Sequence, residues 1–182
     1  MGRSRSSIPT RRLLSRRGGL LSAAVVALAV LATRPYWRQA ETPLSTEGRT
    51  EVVVERVVDG DTFTIRSPQK ERVRLLGVDT PETVKPDHPV EPFGPEAGAL
   101  TRQWIEGRSV VLEFDREKRD KYGRLLAYVW VDGKMLNEEL LRQGLGRALL
   151  QYNFSAERKE VFRRAEAEAR AARRGIWSLP QP

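Results

Sequence analysis

The sequence predicts an α+β domain, a five-stranded β-barrel of OB type with three helices. Three observations lead there. β-Branched and apolar runs recur as five short strand-like segments, the first two joined across an Asp-Gly turn. Three other segments read as helices from their proline, serine and glycine punctuation and their apolar spacing. One helix interrupts the strands, which suits a small closed barrel better than the regular alternation of a parallel α/β sheet.

Each element has its own justification in chain order. EVVVERVV (51–58) is β-branched and strand-like, DGD (59–61) is a tight-turn signal, and TFTIR resumes a strand. VRLLGV is the third strand. Pro81, Pro86, Pro89, Pro92 and Pro95 then forbid a helix up to Gly94, because each lacks a donor and fixes φ. With Pro95 in its first turn, EAGALTRQWIEG forms the first helix, closed by Gly107. SVVLEF and LLAYVWV are strands four and five. Asp132-Gly133 turns the chain into NEELLRQG, a second helix stopped by Gly144. The third helix runs from Ser155 as N-cap to Gly175. Val161, Phe162, Ala165, Ala169 and Ala172 keep helical spacing, and Glu160–Arg164 and Glu166–Arg170 form i,i+4 pairs. Its arginines are expected to form a solvated face.

The chain of 182 residues, 40% apolar, suits one such domain behind a leader. Residues 1–33 read as an export signal or N-terminal membrane anchor, with Arg-rich residues 1–17 followed by the apolar run 18–32. That run of 15 residues is shorter than the roughly 20 that span a bilayer. Residues 34–48 read as a linker, 49–177 as the domain and 178–182 as a short tail. The protein is thus expected to be exported, secreted or at the cell surface, touching the membrane only through its N-terminal segment.

Charge excludes one easy inference. The net +8 comes from eight arginines within the first 38 residues, where there is no acid. The remaining 24 basic and 24 acidic residues balance, so net charge gives no reason to invoke a polyanionic partner. Cysteine is absent and His88 is the single histidine. Disulfides, thiol catalysis and His-pair zinc motifs are therefore excluded.

The chemistry concentrates in two acidic turns. DTPE (79–82) would be an N-capping box if a helix followed, but the prolines prevent one. What remains is two carboxylates in a rigid turn at a strand end. The Asp59-Gly-Asp61-Thr62 turn adds further hard oxygen ligands of the kind that Ca²⁺ or Mg²⁺ prefers. Arg74 precedes Asp79 by five positions, so the two share a face only if a bulge or bend intervenes. Arg124 closes the DKYGR turn before strand five. A metal with two guanidinium forks suits stabilisation of a phosphoryl transition state.

Over residues 49–177 the sequence resembles the staphylococcal nuclease (thermonuclease) family. VVDGDT, VRLLGVDTPET, FGPEA, DKYGR, LAYVWVDGKMLNEELLRQGL and the terminal IWS occur as ordered blocks. The resemblance implies an OB barrel with three helices and Ca²⁺-dependent hydrolysis of DNA and RNA. Cleavage between phosphorus and the 5′-oxygen would leave 3′-phosphates. It implies Asp61, Asp79 and the Thr80 carbonyl as Ca²⁺ ligands and Glu82 as general base. Arg74 and Arg124 would grip the scissile phosphate, Lys121 and Tyr122 a neighbouring one, and Tyr152 would belong to the nucleotide pocket. Leu150 stands where the family's best-known member has a second pocket tyrosine, and His88 where it has a loop lysine. The loop between Asp115 and Asp120 is one residue shorter. A monomer with no protein partner is expected. The alternative is a non-catalytic nucleic-acid-binding module, which would have no use for the full acid and arginine set.

Overall fold

The computed structural model describes residues 48–83 and 89–180. The expected leader (1–33), most of the linker and His88 lie outside the described residues. Strand β1 (Arg49–Asp59) is antiparallel to β2 (Thr62–Ile65), with Asp59 opposite Thr62 across the Asp-Gly turn. Strand β3 (Arg72–Leu75) adds to β2, while β5 (Ser109–Glu113) adds to the other edge of β1 and β6 (Leu125–Val131) to β5. A parallel pairing of β3 with β6 joins the two outer strands and closes the ring of five. Closure removes the free edges that an open sheet of this length would expose. The short strand β7 (Lys134–Met135) prolongs the sheet beyond β6.

Alternation along the strands fills the barrel. Val54, Phe63, Ile65, Val73, Leu75, Leu112, Leu125, Ala127 and Val129 are all essentially inaccessible to solvent. Burying side chains of this size contributes about 1.5–3 kcal/mol each before conformational entropy is counted. Helix α1 (Gly94–Ile105) lies between the third strand and β5, helix α2 (Leu136–Arg142) follows β7, and helix α3 (Ala156–Ala171) packs on α2. Tyr128 of β6 meets Phe154 and Phe162 edge-on at centroid distances of 6.4 and 6.0 Å, which joins barrel and α3.

A buried asparagine ties this packing to the region of the acidic turns. Asn137 of α2 accepts from the Val129 amide at 2.9 Å and donates to the Leu76 carbonyl at 3.0 Å. Polar groups inside an apolar core are costly unless bonded, and Asn137 thereby fixes the chain just after β3.

The observed elements depart from expectation in specific places. VRLLGV is not one strand: it bends at Leu76-Gly77 and resumes as β4 (Val78–Asp79). Strand β4 pairs with β8 (Arg147–Ala148) in a separate two-stranded sheet, with Asp79 opposite Arg147. Gly77 has φ +76°, a left-handed conformation that costs glycine little and other residues much. Ser155 caps α3 through the Arg158 amide as expected, but α3 ends at Ala171 and Ala172 is exposed. Glu166–Arg170 pair, whereas Glu160 pairs with Arg163 and not with Arg164. The helix's arginine face is only partly solvated. Arg158 folds onto Glu113 at 2.8 Å and Arg170 lies 3.9 Å above the Trp177 ring.

Candidate active site

The two acidic turns rest on helix α1. Thr101 of α1 donates its hydroxyl to the Gly60 carbonyl at 2.6 Å, holding the first turn down. At the start of α1, a β-carbon on Gly94 would stand 2.6 Å from Thr83 Cγ2 and 2.9 Å from the Pro81 carbonyl. The glycine of FGPEA is therefore required by the second turn lying directly upon the helix. One helix thus sets the spacing of both turns.

The bend at Gly77 does for Arg74 and Asp79 what the sequence demanded. The Arg74 guanidinium bonds Asp61 through Nη1, and Asp79 through Nη2 at 2.5 Å. Both carboxylates therefore face one small space. Asp61 is 1% exposed and also accepts from the Thr80 amide at 2.9 Å and the Thr62 hydroxyl at 3.0 Å. Burial pushes the Asp61 carboxyl above the usual carboxylate range, against the pull of Arg74 and the Thr80 amide. A buried carboxylate disfavoured in this way gains most from a further cation. Two carboxylates and a carbonyl are hard oxygen donors that fit Ca²⁺, whose coordination is loose and completed by water. No group of three or more Asp, Glu, His or Cys gathers around one point among the described residues, so a bound ion would rely on few charged ligands.

Glu82 stands beside Asp59. Its Oε1 accepts from the Thr83 amide at 3.1 Å, and the Thr83 hydroxyl bonds Asp59 Oδ1 at 2.8 Å. Burial, and to a smaller degree the adjoining Glu82 charge, raise the Asp59 carboxyl, although bonds from Thr83 and Gly60 oppose them.

Arg124 belongs to a second group. The β3–β6 register places Arg74 opposite Leu126, and Arg124 stands in the turn that leads into β6. Asp120 Oδ2 holds Arg124 Nε at 2.7 Å and Asp120 Oδ1 accepts the amides of Tyr122 and Arg124, which shapes the DKYGR turn. Burial raises the Asp120 carboxyl, but these bonds outweigh it and leave the group below its ordinary value. Lys121 and Arg124 both lie against the exposed Tyr122 ring, at 5.0 and 5.5 Å from its centroid. Among the described residues no ion pair joins Arg124 to Asp61 or Asp79. Tyr152 is 53% exposed, in a turn where its amide bonds the Leu149 carbonyl at 3.4 Å.

The supporting residues were not foreseen. Asp59 reads in the sequence as part of an oxygen-rich turn and Asp120 as a turn former, with no sign of the bonds they make here. Glu91, Thr101 and Asn137 bond main-chain groups distant in sequence and Thr83 bonds the Asp59 carboxylate, and no local pattern marks such contacts.

The structure is a closed OB-type barrel that carries two carboxylates and two guanidiniums on neighbouring elements. Comparison with known proteins gives the family. Residues 72–179 match the family described as staphylococcal nuclease homologue. The chain is 42% identical over 158 residues to the thermonuclease of Staphylococcus intermedius, covering 84% of this chain and 94% of that protein. It is 36% identical over 160 residues to the thermonuclease of Staphylococcus hyicus, covering 87% and 94%. Endonuclease YncB of Bacillus subtilis (strain 168) is 44% identical over 129 residues, covering 70% of this chain and 61% of that protein. The chain belongs to the staphylococcal nuclease family, and its thermonuclease and endonuclease homologues support a nuclease enzyme.

Proposed function

We propose that this protein is an exported, Ca²⁺-dependent nuclease that hydrolyses DNA and RNA at the bond between phosphorus and the 5′-oxygen, leaving 3′-phosphates. The observation that carries the reading is the convergence of Asp61 and Asp79 on one guanidinium, Arg74, beside the turn that holds Glu82. Asp61, Asp79 and the Thr80 carbonyl would hold Ca²⁺, which when bound supplies Lewis acidity toward a phosphoryl oxygen.

The other steps belong to the chain's own residues. Glu82 takes a proton from the attacking water as its oxygen bonds to phosphorus. The bond to the 5′-oxygen breaks, its electron pair stays on that oxygen, and a proton from solvent completes the 5′-hydroxyl. Arg74 and Arg124 donate to the equatorial oxygens, where charge is greatest in the transition state. Lys121 counters a neighbouring phosphate. Tyr122 contacts that same phosphate, and the exposed Tyr152 offers a ring face on which a nucleotide can stack. The Arg-rich start and apolar run of residues 1–33 support export.

Incubation of the purified protein with single-stranded DNA, with Ca²⁺ or with excess chelator, tests the reading. Products should appear only with Ca²⁺, with Mg²⁺ replacing it poorly, and their 3′ ends should need phosphatase treatment before ligation. Full activity in chelator would remove the metal assignment. Binding without cleavage under all conditions would favour the non-catalytic module.

A further inference from the structure

The main chain of Glu82 is gripped from behind by a residue nine positions later. The Glu82 amide donates to Glu91 Oε2 at 3.1 Å, and the Glu91 amide donates back to the Glu82 carbonyl at 2.9 Å. Glu91 is itself fixed, because its carbonyl accepts from the Gly94 amide at 3.1 Å where helix α1 begins. The close approach of Gly94 to the Pro81 carbonyl presses the same turn onto that helix. On the other side, Thr83 is tied to Asp59 at 2.8 Å. Glu82 thus sits at the centre of a clamp in which the Glu91 carboxylate accepts its amide proton.

We infer that Glu91 is a positioning residue: its carboxylate, by taking the amide proton of Glu82, sets where the Glu82 carboxylate stands against the attacking water. The inference rests on the reading of Glu82 as general base. A carboxylate acceptor makes a shorter and stronger bond to an N–H than a neutral one. A base must be held to within about 0.5 Å of its working position, and a loosened backbone amide moves the whole side chain. Glu91 also borders the cleft lined by Asp79, Thr80 and Arg147, so an influence on metal binding has to be separated from an influence on Glu82.

The test compares the full-length protein with E91Q, E91D, E91A, E82Q and the double variant E82Q/E91A. Turnover, affinity for Ca²⁺, affinity for a non-hydrolysable dinucleotide in Ca²⁺, and the unfolding midpoint are measured for each. Glutamine keeps an acceptor oxygen at the same reach, so E91Q should stay within about threefold of the parent turnover. E91A should lose turnover by about tenfold or more while the dinucleotide and Ca²⁺ affinities stay within about twofold. E91D, with an arm one methylene shorter, should fall between them and serves if E91A does not fold. In the E82Q background E91A should cost nothing further, because the group it positions is already disabled. Near-normal turnover of E82Q would overturn the reading of Glu82 itself. With E82Q impaired, normal turnover of E91A or E91D would overturn only the positioning role. So would an equal loss from E91A in both backgrounds, or a loss that tracks weakened Ca²⁺ affinity.

Discussion

Asp61 concentrates the site's energetics in one residue. Its carboxylate is almost fully buried, yet three donors serve it: Arg74, the Thr80 amide and the Thr62 hydroxyl. A cation that binds there stabilises the folded state by mass action, about 2.7 kcal/mol when present at a hundred times its dissociation constant. Ca²⁺ should therefore raise the urea midpoint of the parent protein, and Asp61→Ala should abolish most of that rise. An undiminished response in Asp61→Ala would place the ion elsewhere. Asn137 is the other residue on which the site depends at a distance. Asn137→Ala would leave the buried Val129 amide and the Leu76 carbonyl without their partner, at a cost of about 3 kcal/mol. Urea denaturation measures it directly, and a loss well under 1 kcal/mol would mean those groups find other partners.

At the scale of elements, the bend between β3 and β4 turns a strand into a site. Gly77→Ala meets two obstacles: the positive φ, and a β-carbon placed 2.8 Å from Phe154 Cζ and from Phe162 Cε2. The expected loss is about 2 kcal/mol or more, with weaker Ca²⁺ binding because Asp79 follows two residues later. A variant with parent-like stability and Ca²⁺ affinity would show that the bend is not what aims Asp79. The bend marks a boundary of what the sequence could reveal. Leu75, Leu76 and Val78 are all buried, so VRLLGV reads as one continuous buried strand. Only the requirement that Arg74 and Asp79 share a face hinted at the break. Helix α3 shows the same limit at its end. Ala169 and Ala172 keep helical spacing, but Arg173 and Gly175 adopt positive φ and turn the chain toward Trp177. By contrast, the Asp-Gly hairpin, the proline that opens α1 and the Ser155 cap are local signals, and each element begins where its signal stands. Asp61, Asp79, Glu82, Arg74 and Arg124 were open to proposal from the sequence because the chemistry proposed for them is carried by side chains in short motifs. Glu91 and Thr101 were not, because they act on main chain made adjacent only by folding.

Across the whole molecule, carboxylates tie separate elements together and make the fold sensitive to acid. Asp115 accepts from the Tyr128 hydroxyl at 2.6 Å and the Ser155 amide at 2.9 Å, joining β6 to the start of α3. Burial raises its carboxyl, but the bonds from Tyr128, Ser155 and Arg116 outweigh burial and hold it below its ordinary value. Glu113 is held low in the same way, with Arg158 and Arg49 outweighing burial. The unfolded chain then binds protons more readily than the folded one, so this stability is complete above the unfolded carboxylate values near pH 4 and is lost as pH falls through the lower folded ones. The difference in urea midpoint between the parent and Asp115→Asn should be largest at pH 7 and shrink below about pH 4. A gap independent of pH would contradict the assignment.

On the proposed function, the turn that rests on α1 holds Glu82 as the base for the attacking water. Glu82→Gln preserves size and hydrogen bonding but removes basicity. The most direct measurement is the turnover of Glu82→Gln on single-stranded DNA in saturating Ca²⁺, with its affinity for a non-hydrolysable dinucleotide taken alongside. Turnover should fall by about a hundredfold or more while affinity stays close to that of the parent. Near-normal turnover with unchanged affinity would contradict the account, because the DTPE turn would then bind substrate without performing the chemistry assigned to it.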